Sequence, residues 1–490
     1  MSVNRRKNVG INAILNVINQ SLSLLFPIIT YPYVLRVLGV INIGKVNYAS
    51  SIISYFSMFA MLGIKNYAIR EGAKRKDNKI DFHTFVSEIF TINLLSTTFA
   101  YLLLIIAVIL VPKFEAYSKI LLLQSLSIIL TTLGVDWINN IYEDFFLITV
   151  RSIVTHIVSL ILLFIFVKEP ADIYKYASLT VVTNGIICIT NLVYCQKYVK
   201  IKPTFRPNLK KHIRPLLILF ANTIAISIYV SLDITMLGWM RGDYDVGLYS
   251  ISVKIYTIIK NMMAAIYIVT VPRLSYYRGK ENIKGYKQLN TDLWSYLTLI
   301  LIPAAAGLIA ISNEIIMFMG GLEYIEAVTS LRILGMALIF AIFGGLVTAC
   351  LNITLGREKD NLIATIISAL INFVLNLLFI PLFSQNGAAF TTLLSEAFVL
   401  AFCFIRIPGK NRYLEFDTVL REIAHSLLGV ISIVVATILF RGIDHNYVLK
   451  MVLIIVFTVT VYPALLFVIN DKYFMDIVGL AKTKIRGIRR

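Results

Sequence analysis

The sequence predicts an all-α polytopic membrane protein of about 14 transmembrane helices, arranged as two six-helix bundles related by a pseudo-twofold axis plus a C-terminal helix pair. Three observations point there. Of 490 residues, 58% are hydrophobic and only 15% charged, whereas a soluble protein keeps about a quarter of its residues charged. Apolar stretches near the roughly 20 residues needed to cross a bilayer follow one another almost end to end. Basic residues crowd into every second connector.

The spans fall at roughly 9–35, 44–69, 84–111, 117–141, 150–167, 174–197, 213–239, 246–272, 291–312, 325–351, 360–381, 387–407, 418–440 and 447–469. Arg5, Arg6 and Lys7 precede the first apolar run. No A-x-A-like cleavage site follows, so the run is taken as a retained first span. Pro27 and Pro32 within it, and Pro303 in the ninth, permit bends. The second span closes on a basic connector with Lys65, Arg70, Lys74, Arg75, Lys76 and Lys79. After the sixth come Lys197, Lys200, Lys202, Arg206, Lys210, Lys211 and Arg214; after the eighth, Arg273, Arg278, Lys280, Lys284 and Lys287; after the twelfth, Arg406, Lys410, Arg412 and Arg421. The tail after the fourteenth adds Lys482, Lys484, Arg486, Arg489 and Arg490. The opposite connectors hold two basic residues or fewer. The positive-inside rule makes the basic set cytoplasmic, which places both termini inside and requires an even number of spans. Trp137, Trp239 and Trp294 lie near span ends, as interfacial anchors do.

The net charge of +19 is therefore a topology signal, and nucleic acid is not an expected partner. Cys188, Cys195, Cys350 and Cys403 sit in or beside apolar runs without metal-ligand spacing, and read as small packing residues. No Walker A motif, dinucleotide glycine fingerprint or zinc-ligand cluster occurs, and no connector exceeds about 20 residues. An enzyme with a soluble catalytic domain is excluded on that ground, and neither a metal nor a cofactor is expected.

Gly39, Gly44 and Arg70 recur as Gly242, Gly247 and Arg273, all at one offset of 203 residues. An even number of helices per copy keeps the copies parallel, as in several transporter folds. The expected division is residues 1–205 and 206–410 as six-helix bundles, and 411–490 as an added helix pair with a basic tail. Two such bundles enclose a cleft that rocking would expose to each side of the membrane in turn.

Charges at membrane depth are costly and face a cavity or a partner. Lys260 lies 13 residues into the eighth span, roughly 20 Å from its outer end, too deep to snorkel. It calls for an anion or a wet cavity. Lys254 precedes it on the same helix, and Asp233 occupies the outer part of span seven. Asp233 and Lys254 read either as a structural ion pair or as cleft residues. Arg332 either faces substrate or snorkels. Arg70 and Arg273 suit helix C-termini near anionic headgroups, and as repeat mates they are also cleft candidates. Asp136, Glu88 and Glu396 are candidates for ion coupling, with bonding to a neighbouring helix as the alternative. Asn16, Asn19, Gln20, Ser21 and Ser23 of span one, and Asn222, Thr223, Ser227 and Ser231 of span seven, either join helices or wall a polar cavity.

Several motifs carry a family resemblance along essentially the whole chain. Asn16-Val-Ile-Asn-Gln20, Pro27, Pro32 and Leu38-Gly39 through Gly44 to Tyr48 are similar to the opening of the bacterial polysaccharide flippases, of the multidrug/oligosaccharidyl-lipid/polysaccharide exporter superfamily. Gly134-Val-Asp136-Trp137 followed by Glu143, Phe145 and Arg151 resembles that family's span-four-to-five signature. Leu355-Gly-Arg-Glu-Lys359 and Asn386-Gly-Ala-Ala389 resemble its second-half counterparts. The resemblance implies an undecaprenyl-diphosphate-linked oligosaccharide as substrate, turned from the inner to the outer leaflet of a bacterial cytoplasmic membrane for O-antigen, capsule or exopolysaccharide assembly. Lys254 and Lys260 would then meet the diphosphate. Polysaccharide polymerase and chain-length machinery are implied neighbours, and proton or sodium coupling stays open. The chain departs from the lipid II flippases in lacking a dense arginine cluster in its first-half helices, and from the drug exporters in having more than twelve spans. A cation-coupled multidrug exporter and a membrane-embedded polymerase are the alternatives; short outer connectors weigh against the polymerase.

Overall fold

The computed structural model describes residues 9–142, 144–205, 207–443 and 446–479, and among them every regular element is helical. The basic N-terminal start, Glu143, Arg206 and the basic tail lie outside the described residues. So do the side chains of Asn16, Asn19, Gln20, Ser21, Ser23, Phe145, Asn222 and Ser227. Eleven described helical stretches are long and apolar enough to cross a membrane. Two of them, Phe26–Ala73 and Glu358–Ile405, are 48 residues long, about 72 Å at 1.5 Å per residue and enough for two crossings. With these two divided and the 32-residue helix Leu209–Met240 included, the described helices give the fourteen spans expected from hydropathy, an even number as charge alternation requires.

The chain divides into two compact units, Met1–Gly247 and Leu248–Arg490. The first contains α1 (Val9–Met61), α2 (Ile64–Ala73), α3 (Lys79–Leu110), α4 (Ser118–Gly134), α5 (Trp137–Ile141), α6 (Phe145–Phe166), α7 (Ile173–Cys195) and α8 (Leu209–Met240), and ends in the first turn and a half of α9 (Asp243–Ile268). The second continues along α9 with α10 (Val271–Gly279), α11 (Ile283–Ala310), α12 (Ser312–Met319), α13 (Ala327–Gly345), α14 (Glu358–Ile405), α15 (Phe416–Leu439) and α16 (Tyr447–Val468). A π-helical turn, Leu346–Ile353, extends α13.

In the first unit α1 is the organising element and packs on α3, α4, α6 and α8. It joins the expected first and second spans without a loop, broken only at Gly39, where φ is +75°. A positive φ costs a side chain but not glycine. Its repeat mate Gly242, with φ of +105°, opens the turn between α8 and α9. The second glycines of the repeat meet each other. A Cβ on Gly44 would lie 1.8 Å from the Asp243 carbonyl oxygen, and one on Gly247 would lie 2.2 Å from the Val40 carbonyl oxygen. The contact is reciprocal, because Val40 and Asp243 are themselves separated by the repeat offset of 203. Lys113 donates to the carbonyls of Gly238 and Trp239 at 2.6 and 2.9 Å, and Tyr117 donates to Asp243 at 2.6 Å. These bonds tie the end of α8 and the start of α9 to the segment joining α3 to α4.

In the second unit α13 packs on α11 and α14, and α15 packs on α11 and α16. The helix α14 joins the expected eleventh and twelfth spans, broken at Ser384. Much of the outer surface is apolar: on α3, Ile105, Ile106, Ile109 and Leu110 are all more than half exposed. Water would not tolerate such stripes; lipid is their solvent.

Local expectations need correction. The fourth span stops at Gly134, and α5 is a separate short helix. Trp137 and Trp294 are core residues: the first packs among Tyr67, Phe85 and Ile138, and the second stacks on Phe343 with ring centroids 5.2 Å apart. Among the three tryptophans only Trp239 is exposed, with the Lys113 ammonium 5.5 Å from its ring centroid. Position near a span end therefore did not distinguish an anchor from a core ring. All four cysteines are free and buried.

Candidate functional site

In the second unit, Lys260 and Glu396 form a charged pair between two membrane-spanning helices. Lys260 stands on α9, and Glu396 in the part of α14 beyond its break at Ser384. Lys260 Nζ lies 2.5 Å from Glu396 Oε1. Tyr256, one turn before Lys260, donates its hydroxyl to the same oxygen at 3.1 Å. The Glu396 side chain is 8% exposed and that of Lys260 is 30% exposed. Lys260 thus has an internal counterion, where the sequence called only for an anion or a wet cavity. It keeps an accessible face, and a carboxylate with two charge-assisted donors is held rigidly. Lys254 shares α9, half-buried. Arg332, near the start of α13, is exposed and donates Nε to Ser312 Oγ at 2.9 Å. Arg273 stands in the short helix α10, exposed and 3.4 Å from the Tyr277 hydroxyl.

The same unit holds a largely apolar groove of about 450 Å³, lined by Ile259, Leu299, Pro303, Gly307, Ile433 and Ile454 among others. Its walls come from α9, α11, α12, α15 and α16, and Ile259 is the residue before Lys260. The terminal helix pair thus builds one side of a groove, a role the sequence did not announce. Within α14, Asn372, Asn376 and Thr391 form a buried chain of hydrogen bonds across the break: Thr391 Oγ1 to Asn376 Oδ1 at 2.5 Å and Asn376 Nδ2 to Asn372 Oδ1 at 3.1 Å.

In the first unit, Glu88 is engaged by His212. His212 Nε2 lies 2.9 Å from Glu88 Oε2, and its Nδ1 lies 2.7 Å from the Tyr67 hydroxyl. His212 is fully buried, with the rings of Tyr67 and Phe85 edge-on. Asp136 follows α4 and pairs with Arg151 of α6 at 3.1 Å; the two positions quoted from one motif are joined in space. Asp233 is buried in α8. Arg70 stands in the short helix α2, near the end of the stretch Phe26–Ala73, exposed and 3.2 Å from Glu71. Sequence reasoning missed His212, Tyr256 and Asp144. Asp144 accepts from Tyr194 at 2.7 Å, Lys197 at 3.1 Å and Tyr198, and burial together with that carboxylate pushes the Tyr198 phenol well above its usual range. An isolated histidine or aspartate at a span's edge gave no periodic signal that would have found them.

Residues 7–278, more than half of the chain, match the family model described as "Polysaccharide biosynthesis protein", and residues 219–378 match the MatE model. The chain is 24% identical over 407 residues to a protein of Escherichia coli (strain K12) named "Putative O-antigen transporter", covering 81% of this chain and 96% of that one. It is 26% identical over 176 residues, 34% of this chain, to a Haloferax volcanii protein named "Probable low-salt glycan biosynthesis flippase Agl15". Among solved structures, the lipid II flippase MurJ in an inward closed conformation superposes with a TM-score of 0.75 at 16% identity, over 96% of this chain and 99% of that one. At that identity the likeness establishes a shared fold. The chain is a multi-pass membrane transporter belonging to the polysaccharide biosynthesis protein family, the polysaccharide flippases of the multidrug/oligosaccharidyl-lipid/polysaccharide exporter superfamily.

Proposed function

We propose that this transporter moves an undecaprenyl-diphosphate-linked oligosaccharide repeat unit from the inner to the outer leaflet of a bacterial cytoplasmic membrane, by alternating access, for surface polysaccharide assembly. The observation that carries the reading is the placement of Lys260 immediately after Ile259 of the groove. A cation with an accessible face on the same helix as a residue of a largely apolar groove suits an amphiphile with an anionic head and a long apolar tail. In this reading Lys260, with Lys254 on the same helix, meets the diphosphate. The groove takes the first isoprene units, and Glu396 holds the ammonium in position while the substrate is absent. Asp233, Arg332, Arg70 and Arg273 are further substrate contacts. Glu88, Asp136 and Glu396 are the coupling candidates, with proton or sodium as the driving ion. The basic connectors support cytoplasmic termini, and a polymerase of the same pathway is the expected consumer of the flipped lipid.

Loss of the gene tests this. Lipid-linked repeat units should accumulate on the cytoplasmic leaflet and surface polysaccharide should disappear. Persistence of the glycan with altered drug sensitivity alone would instead favour a cation-coupled multidrug exporter, the second reading, which the MatE match over residues 219–378 supports.

A further inference from the structure

The terminal helix pair carries a second cluster, made of residues other than Lys260 and Glu396. Glu422 and His425 lie one turn apart near the start of α15, and Asp471 follows the end of α16. His425 Nδ1 is 2.7 Å from Asp471 Oδ2 and 3.5 Å from Glu422 Oε2. One ligand atom from each residue lies within 4.8 Å of the others. Both carboxylates are completely buried, and the His425 side chain is 25% exposed.

The outer oxygen of each carboxylate is already engaged. Glu422 Oε1 accepts from Arg421 Nε at 3.3 Å, and Asp471 Oδ1 accepts from the Phe474 backbone N–H at 2.7 Å. The inner oxygens, Glu422 Oε2 and Asp471 Oδ2, turn toward the same imidazole nitrogen. That nitrogen lies closer to Asp471 than to Glu422, and it can carry at most one proton. Glu422 Oε2 is left buried with no hydrogen bond. It faces the carboxylate of Asp471, and two buried carboxylates face to face are costly unless a shared proton or a cation lies between them.

We propose that Glu422 Oε2, His425 Nδ1 and Asp471 Oδ2 bind a divalent transition metal, with Zn²⁺ the ion that fits. Imidazole with carboxylates selects Zn²⁺ and its neighbours over Mg²⁺ or Ca²⁺. Bonds of about 2.0–2.1 Å place tetrahedral ligands roughly 3.4 Å apart. The His425–Glu422 separation already meets that spacing, and the His425–Asp471 hydrogen bond opens by under about 1 Å when the proton leaves. A Glu-x-x-His pair on one helix is a recurrent metal-binding arrangement in helical bundles. The engaged outer oxygens fix the carboxylates as outer-shell bonds do in metal sites. The metal clips the start of α15 to the segment after α16, and so fixes the ends of two helices that wall the apolar groove.

The test is direct metal binding to the full chain, purified in detergent without a histidine tag and stripped with chelator. Wild-type protein should take up about one Zn²⁺ per chain, not competed by excess Mg²⁺, with a rise in melting temperature on loading. Glu422→Gln, His425→Gln and Asp471→Asn should each lose that ion and that rise. If a carboxylate variant fails to fold, the partly exposed His425 supplies the deciding substitution. Absence of stoichiometric uptake by wild-type protein would overturn the proposal, as would unchanged uptake by His425→Gln. Melting that follows pH through the histidine range but ignores Zn²⁺ would make the cluster a hydrogen-bonded triad and overturn it equally.

Discussion

Lys260 and Glu396 are 136 residues apart in sequence and 2.5 Å apart in the fold. The pair gives the ammonium a resting partner, and a substrate anion competes for it. If Lys260 serves only to neutralise Glu396, exchanging the charges in Lys260→Glu/Glu396→Lys restores function. If it meets a diphosphate, the exchange restores protein level but not transport. The second outcome is expected: Lys260→Gln, Glu396→Gln and the exchanged protein should all lose surface polysaccharide, and the exchanged protein should melt closest to wild type. The single changes should cost about 1.5–3 kcal/mol, the worth of a hydrogen bond to a charged group. Detergent melting curves and surface glycan staining together check this.

The groove gives an independent handle. Ala304→Phe and Gly307→Phe would fill part of its roughly 450 Å³ without touching a charge. Transport should fall at least tenfold while membrane insertion is kept. Transport at the wild-type rate in either variant would show that the groove is not on the substrate's path.

Gly44 and Gly247 set a third expectation. An alanine at either places its Cβ within about 2 Å of a backbone carbonyl, which cannot be moved by a side-chain rotation. Gly44→Ala and Gly247→Ala should each destabilise by about 1–3 kcal/mol, the usual cost of overpacking. The change is read as a lowered melting temperature. Gly442→Ala, where a Cβ meets nothing within 4 Å, should be near neutral.

His212 lies between Glu88 and Tyr67. His212→Phe keeps an aromatic ring but leaves the Glu88 carboxylate and the Tyr67 hydroxyl without it. The expected loss is about 1–3 kcal/mol from unsatisfied buried groups. His212→Gln, which can donate to Glu88, should lose less. Equal melting of the two would show that the hydrogen bonds contribute nothing beyond packing.

Hydropathy and charge alternation made the helical class and the number of spans legible, because lipid leaves the backbone few options and the charge rule checks the count. The repeated glycines were legible as spacing, and the fold gives them a cause: one pair takes positive φ, the other lets two backbones touch. Pairings were not legible. Lys260 and Glu396 were each singled out, but nothing in the local sequence joins residues that distant. The Glu88–His212 bond, across 124 residues, escaped for the same reason. The groove escaped because isoleucines facing a cavity read the same as isoleucines facing lipid.

The most direct measurement is translocation of a purified undecaprenyl-diphosphate-linked repeat unit in proteoliposomes, followed by its accessibility to an enzyme confined to the far side. Wild-type protein should make the substrate accessible, and Lys260→Gln reconstituted at equal density should not. Translocation by Lys260→Gln at the wild-type rate, or none by wild-type protein under any imposed ion gradient, would contradict the assignment.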